Sequence, residues 1–353
     1  MQTVQTLLIG LGNLGSRFCS ILEAKNPLLR QRYELDLKLV GAADSQGVAY
    51  DPVNGLDPAR VVALKASGGT IANYPGVGHR HWGALDLVTR AQADVLLEAS
   101  PANLEQGAEP AISCIRTALQ RGMHVVTPNK GPLVVAYREL HQLAAAHGVA
   151  LRFDGTVAGG LPALTLGQRD LRGATIERLL AVPNLSTGYV MDMLADGTTW
   201  EEACARARAE GTLEGDGSWD LDGWDAAAKL LILANAVLGQ RAGTAALSQP
   251  RRIEDVSRTG IKGLRASELR AAAARGERYR LLATAERSAG GDYELSVEPV
   301  PLPPDHPLGR LGPKQMGVVY QTDIYGTITA TIEEPDPIPS AATMLRDLLD
   351  IYV

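Results

Sequence analysis

The chain has 353 residues, of which 45% are hydrophobic and 21% charged, and these proportions are typical of a globular protein with about two domains. Its net charge of −6 disfavours nucleic acid or an anionic membrane surface as a partner. No signal pattern precedes the first strand, no apolar run is long enough to span a bilayer, and the three scattered cysteines form no C-x-x-C motif. We therefore expect a cytoplasmic protein.

The first predicted element is an apolar strand, Val4 to Ile9, and a helical pattern follows from Ser16 to about Glu23. Between them lies a G-x-G-x-x-G motif. In this context the motif is typical of dinucleotide binding, because its glycines allow a tight turn, the approach of a pyrophosphate and close packing of helix on strand. A glycine turn in another kind of strand–helix unit is the alternative. The predicted cofactor-binding residues are Gly10, Gly12, Asn13, Leu14 and Gly15.

A second apolar strand, Leu37 to Ala43, ends at Asp44. An acid at this position binds the adenosine ribose hydroxyls and repels a 2′-phosphate, so Asp44 favours NAD over NADP. The spacing from the glycine motif exceeds the usual ~20 residues because polar sequence from 25 to 34 is inserted. Lys65 or Arg60 could still reach a phosphate, and NADP therefore remains an alternative.

Strand and helix patterns alternate through the rest of the first half, with strands over 94–99, 122–127 and 149–153 and helices over 111–121 and 137–147. Such alternation predicts a parallel sheet, which binds ligands beyond the carboxyl ends of its strands. We expect the nicotinamide to lie near Lys130, although an ordinary exposed loop lysine is the alternative. The residues predicted at these strand ends are Ser100, Pro101, Asn129 and Lys130.

The pattern changes after Phe153, where a glycine-rich turn leads into longer strands mixed with helices. We predict an α/β fold, with a Rossmann-type doubly wound parallel sheet and an α+β domain for substrate binding and dimerisation. The first domain covers 1–152 together with a C-terminal helix in 340–353, and the second covers 153–339. The longer strands are predicted over 176–182, 293–297, 317–321 and 326–332.

An acidic run from Glu214 to Asp225 ends in Lys229, which opens an apolar helix. Asp225 and Lys229 are four residues apart and share one helix face. A lysine at the mouth of a buried helix is partly desolvated, which makes its proton easier to remove, and neighbouring carboxylates can hold a substrate ammonium. An exposed helix pair beside a solvated turn is the alternative.

Together these motifs resemble those of homoserine dehydrogenases of the short kind, which lack a C-terminal ACT domain. The resemblance covers most of the chain. It implies a nicotinamide-dependent oxidoreductase that interconverts L-homoserine and L-aspartate 4-semialdehyde in threonine and methionine biosynthesis, as a homodimer or a dimer of dimers. The segments that carry it are G-L-G-N-L-G at 10–15, T-P-N-K-G-P-L at 127–133, V-A-G-G-L-P at 157–162 and the acidic run at 214–229.

The resemblance also implies roles for single residues. Lys130 and Lys229 would transfer the proton, Glu214 and Asp225 would hold the substrate ammonium and orient Lys229, and Asp220 would support them. Further substrate contacts would come from Asn184, Thr187, Tyr189 and Gly160. A monovalent cation such as Na⁺ or K⁺ would bind at Asp154, Val157 and Gly159, and a plain glycine turn is the alternative.

Two segments depart from the family pattern. Leu185 stands where the family usually has a glycine beside the substrate, and Pro183 just before it has no backbone N–H. Residues 333–339 are acidic and proline-rich, whereas the family usually has a glycine-rich loop there. Three hypotheses follow: a homoserine dehydrogenase, a related reductase of another small amino or hydroxy aldehyde, or a nicotinamide-binding sensor without turnover. The retained lysines and acids argue against the third hypothesis.

Overall fold

A computed structural model describes residues 1–213, 215, 217–239 and 252–353. The chain divides into two compact units, residues 1–160 with 336–353, and residues 161–335. The predicted boundaries at 152 and 339 differ from these by eight and four residues. The glycine turn up to Gly160 belongs to the first unit because Arg346, in the C-terminal helix, binds it.

The first unit is built on a seven-stranded sheet in the order β4-β3-β2-β1-β5-β6-β7. The strands are β1 (Gln2–Ile9), β2 (Leu35–Asp44), β3 (Gly47–Tyr50), β4 (Gly78–His79), β5 (Val95–Glu98), β6 (His124–Val126) and β7 (Leu151–Arg152). Its helices are α1 (Asn13–Tyr33), α2 (Pro58–Ala66), α3 (Ala84–Arg90), α4 (Ala111–Gln120), α5 (Lys130–Ala146) and the C-terminal α12 (Ile338–Tyr352).

The five strands from β2 to β7 in this order are parallel, as predicted, but β3 and β4 add an antiparallel edge that the sequence analysis missed. Both strands are short and follow turns, so they lack a periodic signal. Ile9 pairs with Ala43 on one side and with Glu98 on the other. This register brings the carboxyl ends of β1, β2 and β5 to the same edge of the sheet, where the predicted cofactor residues lie.

Helix α1 continues to Tyr33, ten residues beyond the predicted end at Glu23, and includes Pro27. The polar sequence that looked like an insertion is therefore helical. The side-chain amide of Asn26 donates to the Leu37 carbonyl and accepts from its N–H, both at 3.0 Å, which ties the helix to β2. This contact fixes the helix to the sheet directly before the proline, which removes one helical hydrogen bond.

The core of the first unit combines one face of the sheet with α1 and α12. Phe18 and Leu22 of α1 lie in the same apolar cluster as Met344 and Leu348 of α12, all of them buried. The C-terminal helix is therefore an integral part of this unit. All three cysteines, Cys19, Cys114 and Cys204, are buried free thiols.

The second unit has a six-stranded sheet in the order β13-β12-β8-β10-β11-β9, antiparallel except between β9 and β11. None of the described helices is long and apolar enough to cross a membrane. The strands are β8 (Ile176–Val182), β9 (Val256–Arg258), β10 (Arg278–Arg287), β11 (Tyr293–Leu302), β12 (Gln315–Thr322) and β13 (Gly326–Glu333). The helices are α6 (Ala163–Thr165), α7 (Leu185–Ala195), α8 (Trp200–Ala209), α9 (Ser218–Leu221), α10 (Trp224–Leu233) and α11 (Ala266–Ala274).

Candidate functional site

The glycine motif forms an open cradle at the N-terminus of α1. Gly10 has φ of +87°, and a Cβ there would lie 2.5 Å from the backbone of Ala99, while a Cβ on Gly15 would lie 1.9 Å from the carbonyl oxygen of Gly10. Gly12, in contrast, faces open space within 4 Å, and it is exposed together with Asn13, while Leu14 is half-buried. The helix N-terminus is thus accessible to a pyrophosphate, and these residues fit a dinucleotide.

A buried glutamate that the sequence analysis missed organises the neighbouring strand ends. Glu98, the last residue of β5, accepts a hydrogen bond from the Ser100 N–H at 3.0 Å and another from the Ser100 hydroxyl. Its other oxygen accepts from the Asn129 side chain at 3.0 Å and from Thr127. Asn129 also donates to the carbonyl of Pro101 at 3.3 Å. An acid closing an apolar strand was the only signal in the sequence.

Burial raises the pKa of Glu98 to about 6, against the opposing effect of its hydrogen bonds. Because this value exceeds the ordinary 4.5, the folded protein binds the proton more tightly than the unfolded chain. The stabilisation that results is complete below pH 4.5 and is lost as the pH rises through about 6.

We expect Glu98→Gln to weaken cofactor binding about tenfold, because an amide cannot accept hydrogen bonds from both Ser100 and Asn129. In the wild type, ionisation of Glu98 should lower the thermal midpoint between pH 4.5 and pH 6.5. The variant has no carboxyl group at this position and should lack that part of the pH dependence. Nicotinamide fluorescence titration and thermal unfolding measure the two effects. Glu105→Gln, an exposed acid in the same segment, is the control. Equal pH slopes in Glu98→Gln and wild type would contradict the expectation.

Helix α5 begins at Lys130, seven residues before the predicted start at Tyr137. Asn129 is its N-cap, and the side-chain oxygen accepts from the Gly131 N–H at 3.0 Å. A Cβ on Gly131 would lie 2.2 Å from the Ala102 carbonyl oxygen, so the first turn packs tightly against the segment after β5. Lys130 therefore sits half-buried in the first helical turn after β6, rather than in an exposed loop.

Asp44 lies at the predicted strand end but is already fully engaged by the protein. One oxygen accepts from the Gln46 N–H and the Thr70 hydroxyl, both at 2.9 Å, and the other from the Ile71 N–H at 2.9 Å and Lys65 at 2.7 Å. Burial works against ionisation, but these bonds outweigh it and lower the pKa of the carboxyl. The charge of Asp44 is thus balanced by Lys65.

The glycine turn after β7 is bound by an arginine. Arg346 donates to the Asp154 carboxylate at 2.6 Å and to the Gly160 carbonyl at 2.9 Å. Val157, between these two residues, is fully buried. Nowhere in the described ranges do three His, Cys, Asp or Glu side chains converge as a metal site.

The second unit brings three predicted residues together at the start of α10. The Lys229 ammonium contacts the Asp225 carboxylate at 2.8 Å, the Asn184 side-chain oxygen at 3.1 Å and the Pro183 carbonyl at 2.9 Å. Asn184 in turn donates to Asp225 at 2.8 Å. The Lys229 side chain is 17% exposed and that of Asp225 6%, so this is a desolvated cluster and not an exposed helix pair.

The remaining predicted substrate residues are more scattered. Thr187 is buried in α7, and the Tyr189 hydroxyl donates to Glu210 at 2.7 Å. That hydrogen bond raises the pKa of Tyr189. Asp220 lies in the short helix α9, half-buried, and its carbonyl accepts from the Gly223 N–H. Glu214 lies outside the described residues.

Two family models match this chain. The model of the homoserine dehydrogenase family matches residues 162–349, and the model of the homoserine dehydrogenase NAD binding domain matches residues 10–154. The chain belongs to the homoserine dehydrogenase family. The glycine cradle, Asp44, Glu98 and Lys130 fall in its NAD-binding domain, and the cluster around Lys229 falls in the other matched region.

Individual homoserine dehydrogenases match along the whole chain. The enzyme of Methanocaldococcus jannaschii is 33% identical over 98% of both chains. The NAD(+)-dependent homoserine dehydrogenase of Pseudomonas canavaninivorans is 30% identical and covers 100% of this chain and 97% of its own length. A hyperthermophilic archaeal homoserine dehydrogenase solved in complex with NADPH superposes with a TM-score of 0.83 at 25% identity, covering 99% of this chain and 98% of its own.

Proposed function

We propose that this chain interconverts L-homoserine and L-aspartate 4-semialdehyde with a nicotinamide cofactor. The family membership supports the reaction class, and the desolvated cluster of Asn184, Asp225 and Lys229 is the observation that carries it. A bound nicotinamide supplies or accepts the hydride, so the protein has to provide orientation, charge and a proton path.

Lys229 is the proposed proton-transferring group. Among the described residues, three oxygen acceptors contact its ammonium, which matches the number of its N–H donors. A substrate oxygen must therefore displace one of them, and the neutral acceptors on Pro183 and Asn184 cost less to displace than the charged Asp225. In the reducing direction Lys229 then donates the proton and stabilises the developing alkoxide.

The other roles follow the family resemblance. Lys130 is the proposed second lysine, supported by its position in the first turn of α5. Asp225 orients Lys229, and with Glu214 it holds the substrate ammonium, while Asp220 supports that site. The pairing of the Asp225 carboxylate with the Lys229 ammonium at 2.8 Å supports its role in orienting this lysine.

The decisive assay is the initial rate of NAD⁺ and NADP⁺ reduction with L-homoserine. A homoserine-dependent rate with either cofactor would establish the activity. Detectable cofactor binding without a homoserine-dependent rate would reject L-homoserine as the substrate.

NAD is the proposed preferred cofactor, with NADP as an alternative. The balanced charges of Asp44 and Lys65 support a weak preference rather than strict exclusion of a 2′-phosphate. The second candidate cation, Arg60, stacks over the Tyr74 ring.

We expect Asp44→Asn to shift preference toward NADP⁺ by about fivefold, because Lys65 keeps its charge but loses its partner, an effect of about 1 kcal/mol. The ratio of kcat/KM for the two cofactors measures the shift. Asp36→Asn removes an acid at the opposite end of the same strand and serves as the control. An unchanged ratio in Asp44→Asn would remove this pair from cofactor choice.

A second candidate function is reduction of a different small amino or hydroxy aldehyde. The observation that favours it is Leu185, which is half-buried and directly follows Asn184 of the Lys229 cluster, where the family pattern usually has a glycine. Glu334, in the acidic segment near the C-terminus, is buried. A panel of amino and hydroxy aldehydes with NADH separates the two functions, since the second requires an aldehyde that outcompetes L-aspartate 4-semialdehyde.

We also propose a homodimer formed through the second unit. Among the described residues β13 is an edge strand, and an edge strand can pair with another chain. Ile324 and Tyr325, at the turn before it, are exposed. Analytical sedimentation measures the mass of the protein in solution, and a monomer at assay concentration would exclude the homodimer.

A further inference from the structure

An arginine side chain occupies the glycine turn at which the family resemblance implies a monovalent cation. Asp154, the acid of that turn, is 4% exposed, and its carboxylate is bound by Arg346 at 2.6 Å. The same guanidinium donates to the carbonyl of Gly160 at 2.9 Å. Arg346 thus binds one carboxylate oxygen and one backbone oxygen, which are the two kinds of ligand that a hard cation takes.

The residues present do not fit Na⁺ or K⁺ in addition to this arginine. The carboxylate that would neutralise the ion already neutralises a guanidinium, and an ion bound to that carboxylate would lie beside a like charge. A second buried acid, Asp347, accepts from the Asp154 N–H at 3.1 Å and so helps to fix the same residue. The positive charge that pairs with Asp154 is therefore supplied from within the chain.

The turn also needs to be held in place. Ala158 has φ of +54° and Gly159 of +56°, and the left-handed conformation is unfavourable for a residue with a Cβ. Arg346 bridges Asp154 before this strained pair and Gly160 after it. Arg346 projects from α12, whose Met344 and Leu348 are buried in the core of the same unit, so the bridge has a rigid base.

We propose that Arg346 takes the place of the monovalent cation in this protein. Its guanidinium balances Asp154 and fixes the glycine turn, so neither folding nor turnover requires Na⁺ or K⁺ there. Arg346 is accordingly a positioning residue of the turn that leads out of the dinucleotide-binding unit.

The test compares thermal midpoints in NaCl, KCl and choline chloride at equal ionic strength. The wild type should unfold at the same temperature in all three salts. Arg346→Met removes the guanidinium from both oxygens, so its midpoint should fall by about 3 °C or more in choline chloride and recover in NaCl or KCl. Arg346→Lys keeps the charge and should remain insensitive to the choice of salt.

Arg152→Met is the matched control, because Arg152 pairs with Asp350 of the same helix at 2.6 Å. Its midpoint should fall equally in the three salts. A wild type stabilised by Na⁺ or K⁺ over choline would overturn the proposal, as would an Arg346→Met protein destabilised equally in all three. Thermal unfolding needs no turnover, so either result holds whatever the homoserine assay gives.

Discussion

Lys229→Ala should lower kcat with L-homoserine by about 1000-fold while leaving cofactor affinity within about twofold, since general acid–base groups contribute ~10²–10⁴ in rate. The large effect on kcat follows from the cluster, in which Lys229 is the cation among three oxygens. The small effect on cofactor affinity follows from the family match, which assigns the glycine cradle to the other unit. Stopped-flow turnover and nicotinamide fluorescence titration measure the two quantities.

Lys262→Ala is the matched control for this variant. Lys262 also pairs with an aspartate of the acidic run, Asp222, at 2.9 Å, but its side chain is 47% exposed. An exposed pair of this kind contributes little, so kcat should stay within about twofold of the wild type. If Lys229→Ala lost cofactor affinity as strongly as kcat, the proton-transfer role would be wrong and Lys229 would act through the fold.

Arg280→Met should destabilise the second unit by about 2 kcal/mol, because removing the buried guanidinium leaves the half-buried Asp192 carboxylate and the Leu311 carbonyl without it. Arg280, in β10, is 2% exposed and contacts both oxygens of Asp192 at 2.8 and 3.2 Å. It also donates to the carbonyl of Leu311 at 2.6 Å. This ion pair links α7, which begins directly after Asn184, to β10 in the six-stranded sheet of the second unit.

Urea unfolding followed by tryptophan fluorescence measures this loss, since three of the four tryptophans lie in the second unit. Arg265→Ala is the control, because Arg265 is 78% exposed in its pair with Glu268 and should change stability by less than about 1 kcal/mol. Adding Asp192→Leu to Arg280→Met should restore part of the loss by removing the stranded carboxylate. A loss no larger than that of Arg265→Ala would show that Arg280 does not anchor α7.

The strand and helix periodicity was sufficient to predict the parallel sheet and the existence of the second sheet, because side-chain alternation reflects local backbone geometry. It was wrong about the end of α1 and the start of α5. A side-chain amide contributes in both cases: Asn26 binds the continued part of α1 to β2, and Asn129 caps the start of α5. The first of these contacts depends on how the helix packs, which periodicity does not record.

The sequence by itself determined the glycine cradle and the pairing of Asp225 with Lys229, because both arise between residues a few positions apart. Only the tertiary structure decided what surrounds them. Asn184 and Pro183 reach Lys229 across more than forty residues, and Arg346 reaches Asp154 across 192. Asp44 was predicted at the right strand end, yet three of its four partners come from a segment more than twenty residues later. Contacts at such separations depend on the packing of whole elements, so the charge balance of each site is a property of the fold.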